Sequence, residues 1–453
     1  MKTTPIILAA GQGTRMKSTL PKMLQPLCGQ PMVLLALEAV RAASSETPVV
    51  VVGHGAERVR EAVGGMARLV LQEQQLGTGH AVLQAEAVLR GEADLILVTY
   101  GDMPLLRAET LRELVERQAA NSGPITLLTV VAGDPRGFGR ILRGPDGRVA
   151  AIVEEAAATA EQLQIHELNV GAYCFRADWL WDALHRIPVS ARGEYYLTDT
   201  VGLAVAAGLP VQAAPLDDIA ETIGINTRVD LADAEAALRR RINREHMLAG
   251  VSIVDPATTY IDLGVTIGRD TVVSPGTTLQ GRTSIGEGCV IGPNTIVHDT
   301  RIGNGCKILA SVLEGAVVED DVDMGPYAHL RRGAHLAQGV HMGNFGEVKD
   351  SYLGPGVKMG HFTYIGNARI GANTNIGAGT ITCNYDGEKK NPTEIGEGAF
   401  IGSDTMLVAP IKVGNRARTG AGAVVTRDVP EDTLAVGMPA RAIRKLERRK
   451  TET

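Results

Sequence analysis

A glycine-containing loop near the N-terminus combines residue types that could hold the phosphate groups of a nucleotide. Leu8-Ala9-Ala10-Gly11-Gln12-Gly13-Thr14-Arg15 follows a short apolar strand, and Pro21-Lys22 comes soon after. Glycines let backbone N–H groups close around phosphate oxygens, and Arg15 and Lys22 add positive charge. The loop lacks the Gly-Lys-Ser/Thr of a Walker A motif, and Met16 stands where a Rossmann fingerprint needs its third glycine. The loop is therefore either a different kind of phosphate-binding loop or a plain turn.

A second loop supplies a candidate metal ligand. Gly101-Asp102-Met103-Pro104 follows the apolar run Asp94 to Tyr100. An Asp at the end of a buried parallel strand faces the ligand crevice, and hard oxygen ligands suit Mg²⁺ held against phosphates. The alternative is a helix N-cap, where Asp is also favoured. Gln72, Gly77-Thr78 and Asn226 are polar groups in similar loop positions.

The elements that would position these loops are alternating strands and helices. The sequence predicts helices at Met32 to Ala43, Glu57 to Val63 and Gly79 to Leu89, with strands at Ile6 to Ala9, Val49 to Val52, Leu69 to Leu71 and Asp94 to Tyr100. This order predicts a mostly parallel sheet whose ligands bind at the carboxyl ends of the strands.

The second half has a different period. Apolar residues recur every six positions in one run from Ile261 to Val297 and in a second run from Val312 to Val348. Many of these residues are followed by Gly. Neither a helix nor an ordinary strand has this period, whereas a hexapeptide β-helix does. Three repeats close one turn, so the outward histidines His329, His335 and His341 lie on different sides. They are interpreted as surface residues rather than a metal triad, although ligation across subunits stays open.

The repeat breaks where chemistry is expected. The register slips after Val348 and after Ile365, and it is lost across Gly379 to Asn391, which predicts a loop leaving the coil. His361 lies between these breaks. A histidine titrates in the range needed to take a proton from an amine, although a single histidine is more often structural.

Length and composition fit a two-domain globular protein. We divide the 453 residues into a domain at 1–226, a helical linker at 227–249 and a domain at 250–453 with a basic C-terminal tail. The net charge of −6 argues against a general nucleic-acid binder. Five cysteines without C-x-x-C spacing indicate neither a disulfide framework nor a zinc site. No signal peptide or membrane-spanning run is visible, so a cytoplasmic protein without stable membrane insertion is expected.

These motifs carry a resemblance that covers nearly the whole chain. The strings L-A-A-G-Q-G-T-R-M, Q-L-G-T-G-H-A, G-D-M-P, G-F-G-R-I, L-N-V-G, G-E-Y-Y-L-T-D and G-I-N resemble the sugar-1-phosphate nucleotidyltransferases. With the hexapeptide repeat, the chain is similar to the bifunctional N-acetylglucosamine-1-phosphate uridylyltransferase/glucosamine-1-phosphate acetyltransferases. The resemblance implies a Rossmann-like nucleotidyltransferase domain followed by a hexapeptide-repeat left-handed parallel β-helix. It also implies a homotrimer.

The resemblance implies the following roles in uridylyl transfer from UTP to N-acetylglucosamine 1-phosphate. Asp102 and Asn226 bind Mg²⁺, and Lys22 and Arg15 neutralise the triphosphate. The substrate-binding residues are Leu8, Ala9, Ala10, Gly11, Gln72, Gly77, Thr78, Tyr100 and Gly101, with Gly139, Glu154 and Asn169 at the sugar.

For acetyl transfer from acetyl-CoA to glucosamine 1-phosphate, the resemblance implies His361 as general base. Glu347 would orient the imidazole and Asn384 would hold the amine. The remaining implied contacts are Arg331 and Lys349 to the sugar phosphate, Tyr364 and Asn375 to the sugar, and Ala378, Tyr385, Ser403 and Ala421 to acetyl-CoA.

One position departs from the family pattern. Met438 stands where some members carry an Arg that binds the CoA phosphates, so Arg441 or the basic tail through Arg444, Lys445, Arg448, Arg449 and Lys450 is the candidate replacement. Two other functions remain open at this stage. In the first, the chain is a nucleotidyltransferase whose coil is only an assembly module. In the second, the chain is an acyltransferase whose first half is inactive.

Overall fold

The computed structural model describes residues 1–135 and 137–445. The chain divides into two compact units, Met1–Leu238 and Arg239–Thr453. The division falls inside a helix, Arg228–Leu248, which occupies most of the segment that we assigned to a linker. Arg448, Arg449 and Lys450 of the basic tail lie outside the described residues.

The first unit is built on a nine-stranded mixed sheet. The nine strands are β1 Thr3–Ala9, β4 Val49–Val52, β5 Arg68–Leu71, β6 Leu95–Tyr100, β7 Ile125–Val131, β8 Arg140–Arg143, β9 Val149–Val153, β10 Glu167–Arg176 and β11 Val211–Pro215, and the unit also contains β2 Pro26–Leu27 and β3 Gln30–Pro31. The order is β11-β7-β10-β6-β1-β4-β5, with β8 and β9 attached to β10 and β2 and β3 forming a separate ribbon. β6, β1, β4 and β5 are parallel neighbours, so the predicted parallel core is confirmed. The continuous apolar runs at β1, β4 and β6 are buried on both faces.

Helices cover the two faces of this sheet. They are α1 Met32–Ala43, α2 Ala56–Val63, α3 Thr78–Leu83, α4 Glu86–Leu89, α5 Ala108–Ala120, α6 Ala177–Leu184 and α7 Asp199–Ala206. A further helix, α8 Arg228–Leu248, contains the boundary between the two units. The single helix predicted over Gly79 to Leu89 is wrong, because it is interrupted. The Gln84 side chain donates to the His80 carbonyl, while the Gln84 N–H turns to Ala81.

Local capping sets the ends of α8. The N–H of Asp230 donates to the Thr227 hydroxyl, and the Asp230 carboxylate accepts from the Thr227 N–H at 2.7 Å. These reciprocal bonds satisfy amides that a helix start leaves unpaired. Gly250, with φ of +99°, follows the C-terminal end.

The second unit is a parallel β-helix with three faces. From Ser252 to Val425, successive strands of each face are third neighbours along the chain and pair in parallel, which confirms that three repeats make one turn. Face 1 consists of Ser252–Ile253, Val272–Val273, Val290–Ile291, Lys307–Ile308, Asp323–Met324, His341–Asn344, Lys358–His361, Asn375–Ile376, Phe400–Ile401, Arg418–Thr419, Thr433–Val436 and the antiparallel Arg441–Lys445. Face 2 consists of Tyr260–Ile261, Thr278–Gln280, Ile296–His298, Val312–Glu314, His329–Leu330, Glu347–Lys349, Tyr364–Gly366, Ile381–Cys383, Met406–Val408 and Val424–Val425. Face 3 consists of Thr266–Ile267, Ser284–Ile285, Arg301–Ile302, Val317–Val318, His335–Leu336, Tyr352–Leu353, Ala368–Ile370, Thr393–Ile395 and Ile411–Val413.

The interior of the coil has two kinds of inward position. The predicted apolar residues form one, and small or hydroxylated residues two places earlier form the other, as at Thr271, Thr277 and Cys289. The threonine hydroxyls there donate to backbone carbonyls at the corners, which satisfies buried polar atoms. The prediction of an inward side chain is wrong at one position. Leu313 is fully buried and Val312 is not, because five-residue repeats precede Val318.

The predicted loop is shorter than expected. Ile381–Cys383 remains in face 2, and only the segment from residue 384 to 392 leaves the coil. Thr382 takes the inward position of that strand. Its hydroxyl accepts a hydrogen bond from the Gly366 N–H and donates one to the Gly366 carbonyl. A polar inward residue is invisible to a search for apolar periodicity. No helix within the described residues has the length and apolar character that crossing a bilayer requires.

Candidate functional sites

The carboxyl ends of β1, β5 and β6 open into a cavity of about 270 Å³ in the first unit. Its lining includes most of the predicted nucleotide residues: Leu8, Ala10, Gly11, Lys22, Gln72, Gly77, Thr78, Tyr100 and Asp102. It also includes residues to which the sequence analysis gave no individual role: Met23, Gln75, Ala81, Glu194 and Tyr196. Ala9 is different, because its side chain lies in the core beside Ile7 and Met23. A contact from Ala9 to a ligand would involve its backbone only.

Two predicted metal ligands converge on one ammonium group. Lys22 Nζ lies 2.5 Å from Asp102 Oδ2 and 2.9 Å from Asn226 Oδ1, and Arg15 also donates to Asn226 Oδ1 at 2.9 Å. A backbone bond from Ile225 N to Asp102 O holds the two oxygen-bearing loops together. Both oxygens therefore face a single cation position. One carboxylate and one amide oxygen fit Mg²⁺, which usually keeps waters and phosphate oxygens as its other ligands.

Glycine at position 13 is required for the loop to close over Lys22. Its φ is +64°, and a Cβ atom there would lie 2.6 Å from the Cβ of Lys22. Any larger residue would push apart the strand end and the short helical turn Lys22–Leu24 that carries the buried lysine.

The residues predicted at the sugar form a group around Tyr100. Asn169 N donates to Gly139 O, and the Asn169 amide donates to the Tyr173 hydroxyl at 2.7 Å. Glu154 accepts from Thr198 at 2.9 Å. Burial raises the pKa of Tyr100 far above its usual value, and the charges of Glu154 and Asp102 raise it further. Tyr100 therefore stays a neutral hydroxyl, able to donate a hydrogen bond at any physiological pH. Gly101 follows it and ties its N–H to Leu8 O.

In the second unit, the candidate residues follow the edge between face 1 and face 2. His361 ends the face 1 strand Lys358–His361 and is exposed. The parallel ladder of face 1 aligns four residues of successive strands: Lys358, Asn375, Phe400 and Arg418. Three residues after each of these lies a predicted site residue, in the same order: His361, Ala378, Ser403 and Ala421. The predicted general base and three predicted acetyl-CoA residues therefore form one row along this edge.

In this structure Glu347, which the resemblance places against the imidazole, has a different partner. Glu347 Oε1 instead accepts from Arg331 at 2.9 Å, while His361 Nδ1 lies 2.7 Å from Asn344 Oδ1. The reason is geometric, because Glu347 lies on face 2, whereas Asn344 and His361 are ladder partners on face 1. The sequence analysis gave no role to Asn344, which lies one coil before His361 in the ladder.

Three cations gather on face 2 next to this edge. Lys390, on the loop that leaves the coil, lies beside Lys349, and it lowers the pKa of Lys349; Arg331 lowers that pKa further. Mutual repulsion of this kind favours an anionic ligand. A Cβ on Gly366 would meet both the Tyr364 hydroxyl and the Asn384 amide, so these two predicted residues lie together over the glycine. Lys390 was not predicted.

Other predicted residues lie apart from this group. Asn375 is on face 1 opposite Lys358, away from Tyr364. Tyr385 is 62% exposed, and its hydroxyl donates to Gly387 O. Arg441 begins an exposed strand that pairs with Val436, and Met438 is 78% exposed.

The three histidines at six-residue spacing lie on three different faces, as their spacing predicted. His329, His335 and His341 contact Glu314, Glu319 and Asp323 at 3.0, 2.7 and 3.0 Å. Across residues 1–135 and 137–445, no group of three or more His, Cys, Asp or Glu side chains could hold a metal ion.

Known proteins match both units and the full chain. Residues 5–184 match the MobA-like NTP transferase domain, and residues 264–299, 282–313 and 392–427 match the bacterial transferase hexapeptide family. The bifunctional protein GlmU of Heliobacterium modesticaldum is 47% identical, over 96% of this chain and 95% of its own length. Those of a Geobacillus species and of Syntrophomonas wolfei are 46% and 48% identical, over 98% and 96% of this chain and 97% of their own lengths. At that identity over almost the full length of both proteins, the chain belongs to the bifunctional GlmU family.

Proposed function

We propose that the cavity of the first unit performs uridylyl transfer and that the edge between face 1 and face 2 performs acetyl transfer. The enzyme makes UDP-N-acetylglucosamine from glucosamine 1-phosphate in these two steps, first with acetyl-CoA and then with UTP. The observation that carries the division is that each unit has its own cluster of cations, one around Lys22 and one around Lys349.

In uridylyl transfer, an oxygen of the sugar phosphate attacks the α-phosphorus of UTP and pyrophosphate leaves. No protein nucleophile is needed, because positioning and neutralisation of charge supply most of the catalysis. Lys22 and Arg15 provide positive charge where the oxygens of Asp102 and Asn226 converge. Those two oxygens would hold Mg²⁺, which when bound neutralises phosphate charge. Gln72, Thr78 and the Gly11 loop line the nucleotide cavity, and Gly139, Glu154 and Asn169 receive the sugar.

In acetyl transfer, the uncharged amine of glucosamine 1-phosphate attacks the thioester carbonyl carbon. The new N–C bond forms, the C–S bond breaks, and CoA leaves as a thiolate. His361 takes the proton that the amine loses and returns it to the thiolate. Ala378, Ser403 and Ala421 lie in the same row as His361, which suits an extended acyl donor laid along the edge.

The face 2 cations receive the phosphate of the amino sugar. Arg331 and Lys349 were expected there, and Lys390 adds a third positive charge from the inserted loop. Tyr364 and Asn384, which lie over Gly366, contact the sugar and its amine. Arg441 is the described basic residue closest in sequence to Met438, and we assign the CoA phosphates to it.

We also propose that the enzyme is a homotrimer in the cytoplasm. His361, Phe362 and Tyr385 are all exposed, so a single chain supplies only one wall of the acetyl site. The five cysteines are all thiols, which fits a reducing compartment. Sedimentation equilibrium should give three times the mass of one 47.8 kDa chain. A monomer that acetylates at full rate would contradict this assembly.

The two assignments are tested by removing one key group from each unit. Asp102→Ala should nearly abolish release of pyrophosphate from UTP and N-acetylglucosamine 1-phosphate, while release of CoA continues. His361→Ala should lower acetyl transfer by about 10²–10⁴-fold and leave the uridylyl step intact. Asp146→Asn, which changes a carboxylate in the exposed turn between β8 and β9, is the matched control.

The same assays separate the other functions that the sequence left open. Pyrophosphate released only from pre-acetylated sugar would mean that the β-helix is an assembly module. CoA release without pyrophosphate would mean that the first unit is inactive. Normal uridylyl transfer by Asp102→Ala would remove the assignment of the metal site.

A further inference from the structure

Among the described residues, the only side chain hydrogen-bonded to the imidazole of the proposed general base is an uncharged amide. Asn344 Oδ1 lies 2.7 Å from Nδ1 of His361. The two residues are partners in the parallel ladder of face 1, and Phe362 N donates to Asn344 O at 3.1 Å. Backbone pairing on both sides of the contact therefore fixes the distance between the amide and the ring.

The chemistry of this contact determines which ring nitrogen carries a proton. An amide oxygen can only accept, so Nδ1 must donate to it. A neutral imidazole then has its free lone pair on Nε2, and Nε2 alone can take a proton from a substrate.

The lack of charge on Asn344 matters as much as its position. A carboxylate at this place would form an ion pair with the protonated ring and stabilise the imidazolium, whereas an amide orients the ring without adding a charge. Glu347, the nearest carboxylate expected from sequence, is already paired with Arg331. The other titratable or charged groups on or next to the adjoining strands are Lys358, His341 and Asp323 on face 1 and His329, Arg331, Lys349 and Tyr364 on face 2.

We propose that Asn344 is a positioning residue for acetyl transfer, which holds His361 with Nδ1 protonated and Nε2 free to accept the proton of the attacking amine. This inference rests on the proposed role of His361. It assigns to a neutral amide the orienting task for which a carboxylate was expected.

Two substitutions at position 344 test the inference through the pH profile of kcat/KM for acetyl transfer. Asn344→Asp places a carboxylate on Nδ1, so the acid limb of the profile should move to higher pH by about one unit. Asn344→Ala removes the orienting bond, so kcat should fall roughly tenfold while KM for glucosamine 1-phosphate stays near the wild-type value.

Controls separate this role from a structural one. Asp323→Asn removes a carboxylate from another histidine of face 1, His341, and should leave the acetyl-transfer profile unchanged. Thermal unfolding of each variant checks that the coil is intact. Superimposable profiles for Asn344→Asp and wild type, together with a full kcat for Asn344→Ala, would overturn the inference. If His361→Ala itself retains acetyl transfer, the proposed function fails instead, which is a distinguishable result.

Discussion

At the scale of single residues, the proposed phosphate site brings Lys349 together with Lys390 of the inserted loop. The positive charge of Lys390 lowers the pKa of Lys349, so Lys349 loses its proton at a lower pH than an ordinary lysine. A protonated Lys349 binds phosphate, and a neutral one does so far less well. Binding of glucosamine 1-phosphate to the free enzyme should therefore weaken as pH rises through this lowered pKa.

Lys390→Ala should have two effects in opposite directions. Loss of one charge-assisted hydrogen bond should raise KM for glucosamine 1-phosphate roughly tenfold near neutral pH. The alkaline fall of kcat/KM should at the same time move to higher pH, because Lys349 is released from its neighbour. Steady-state acetylation from pH 7 to 10 measures both effects. Lys412→Ala, which removes a lysine paired with Glu394 on face 3, is the control and should change neither.

The candidate site could be predicted from sequence wherever a residue follows a strand or lies near a break in the repeat. Lys22, Asp102 and Asn226 were found in this way, and the structure brings all three within hydrogen-bonding distance. Asn344 and Lys390 were missed for physical reasons. Asn344 reaches His361 only because stacked coils align positions about 17 residues apart, and Lys390 reaches Lys349 only through the path of an irregular loop.

At the scale of elements, the six-residue period predicted the coil but not every inward side chain. Repeats of five residues shift the register without disturbing the pairing of the strands, so a fixed period places Val312 inside and Leu313 outside. The structure reverses them. The second inward row of Thr, Ser, Cys and Ala could not be found from apolar periodicity, because its members satisfy their polar atoms with backbone carbonyls.

Substitution of these two neighbours is a direct test of the register. Leu313→Ala removes a fully buried side chain and leaves a cavity, so it should lower the free energy of unfolding by about 2–5 kcal/mol. Val312→Ala changes a partly exposed residue of the same strand and should cost much less, within about 1 kcal/mol. Urea unfolding of the two variants, with His361-dependent acetylation as a measure of the native coil, compares them. Equal losses of stability would contradict the register.

At the scale of the whole molecule, each unit contains its own set of reactive groups. Lys22, Asp102 and Asn226 belong to Met1–Leu238, and His361, Lys349 and Lys390 belong to Arg239–Thr453. N-Acetylglucosamine 1-phosphate, the product of the second unit, is the substrate of the first, and no residue of either set belongs to the other unit.

A mixture of two defective variants should therefore make the final product. The Asp102→Ala variant is expected to acetylate without transferring uridylyl, and the His361→Ala variant is expected to do the reverse. Their mixture should therefore convert glucosamine 1-phosphate, acetyl-CoA and UTP into UDP-N-acetylglucosamine after a lag. The lag is expected because the intermediate must leave one protein and accumulate before the other binds it, and it should shorten as the concentration of Asp102→Ala rises. Coupled detection of CoA and pyrophosphate follows the two steps separately. A mixture that releases CoA but no pyrophosphate, while added N-acetylglucosamine 1-phosphate is still used, would mean that the intermediate must pass between units without leaving the protein.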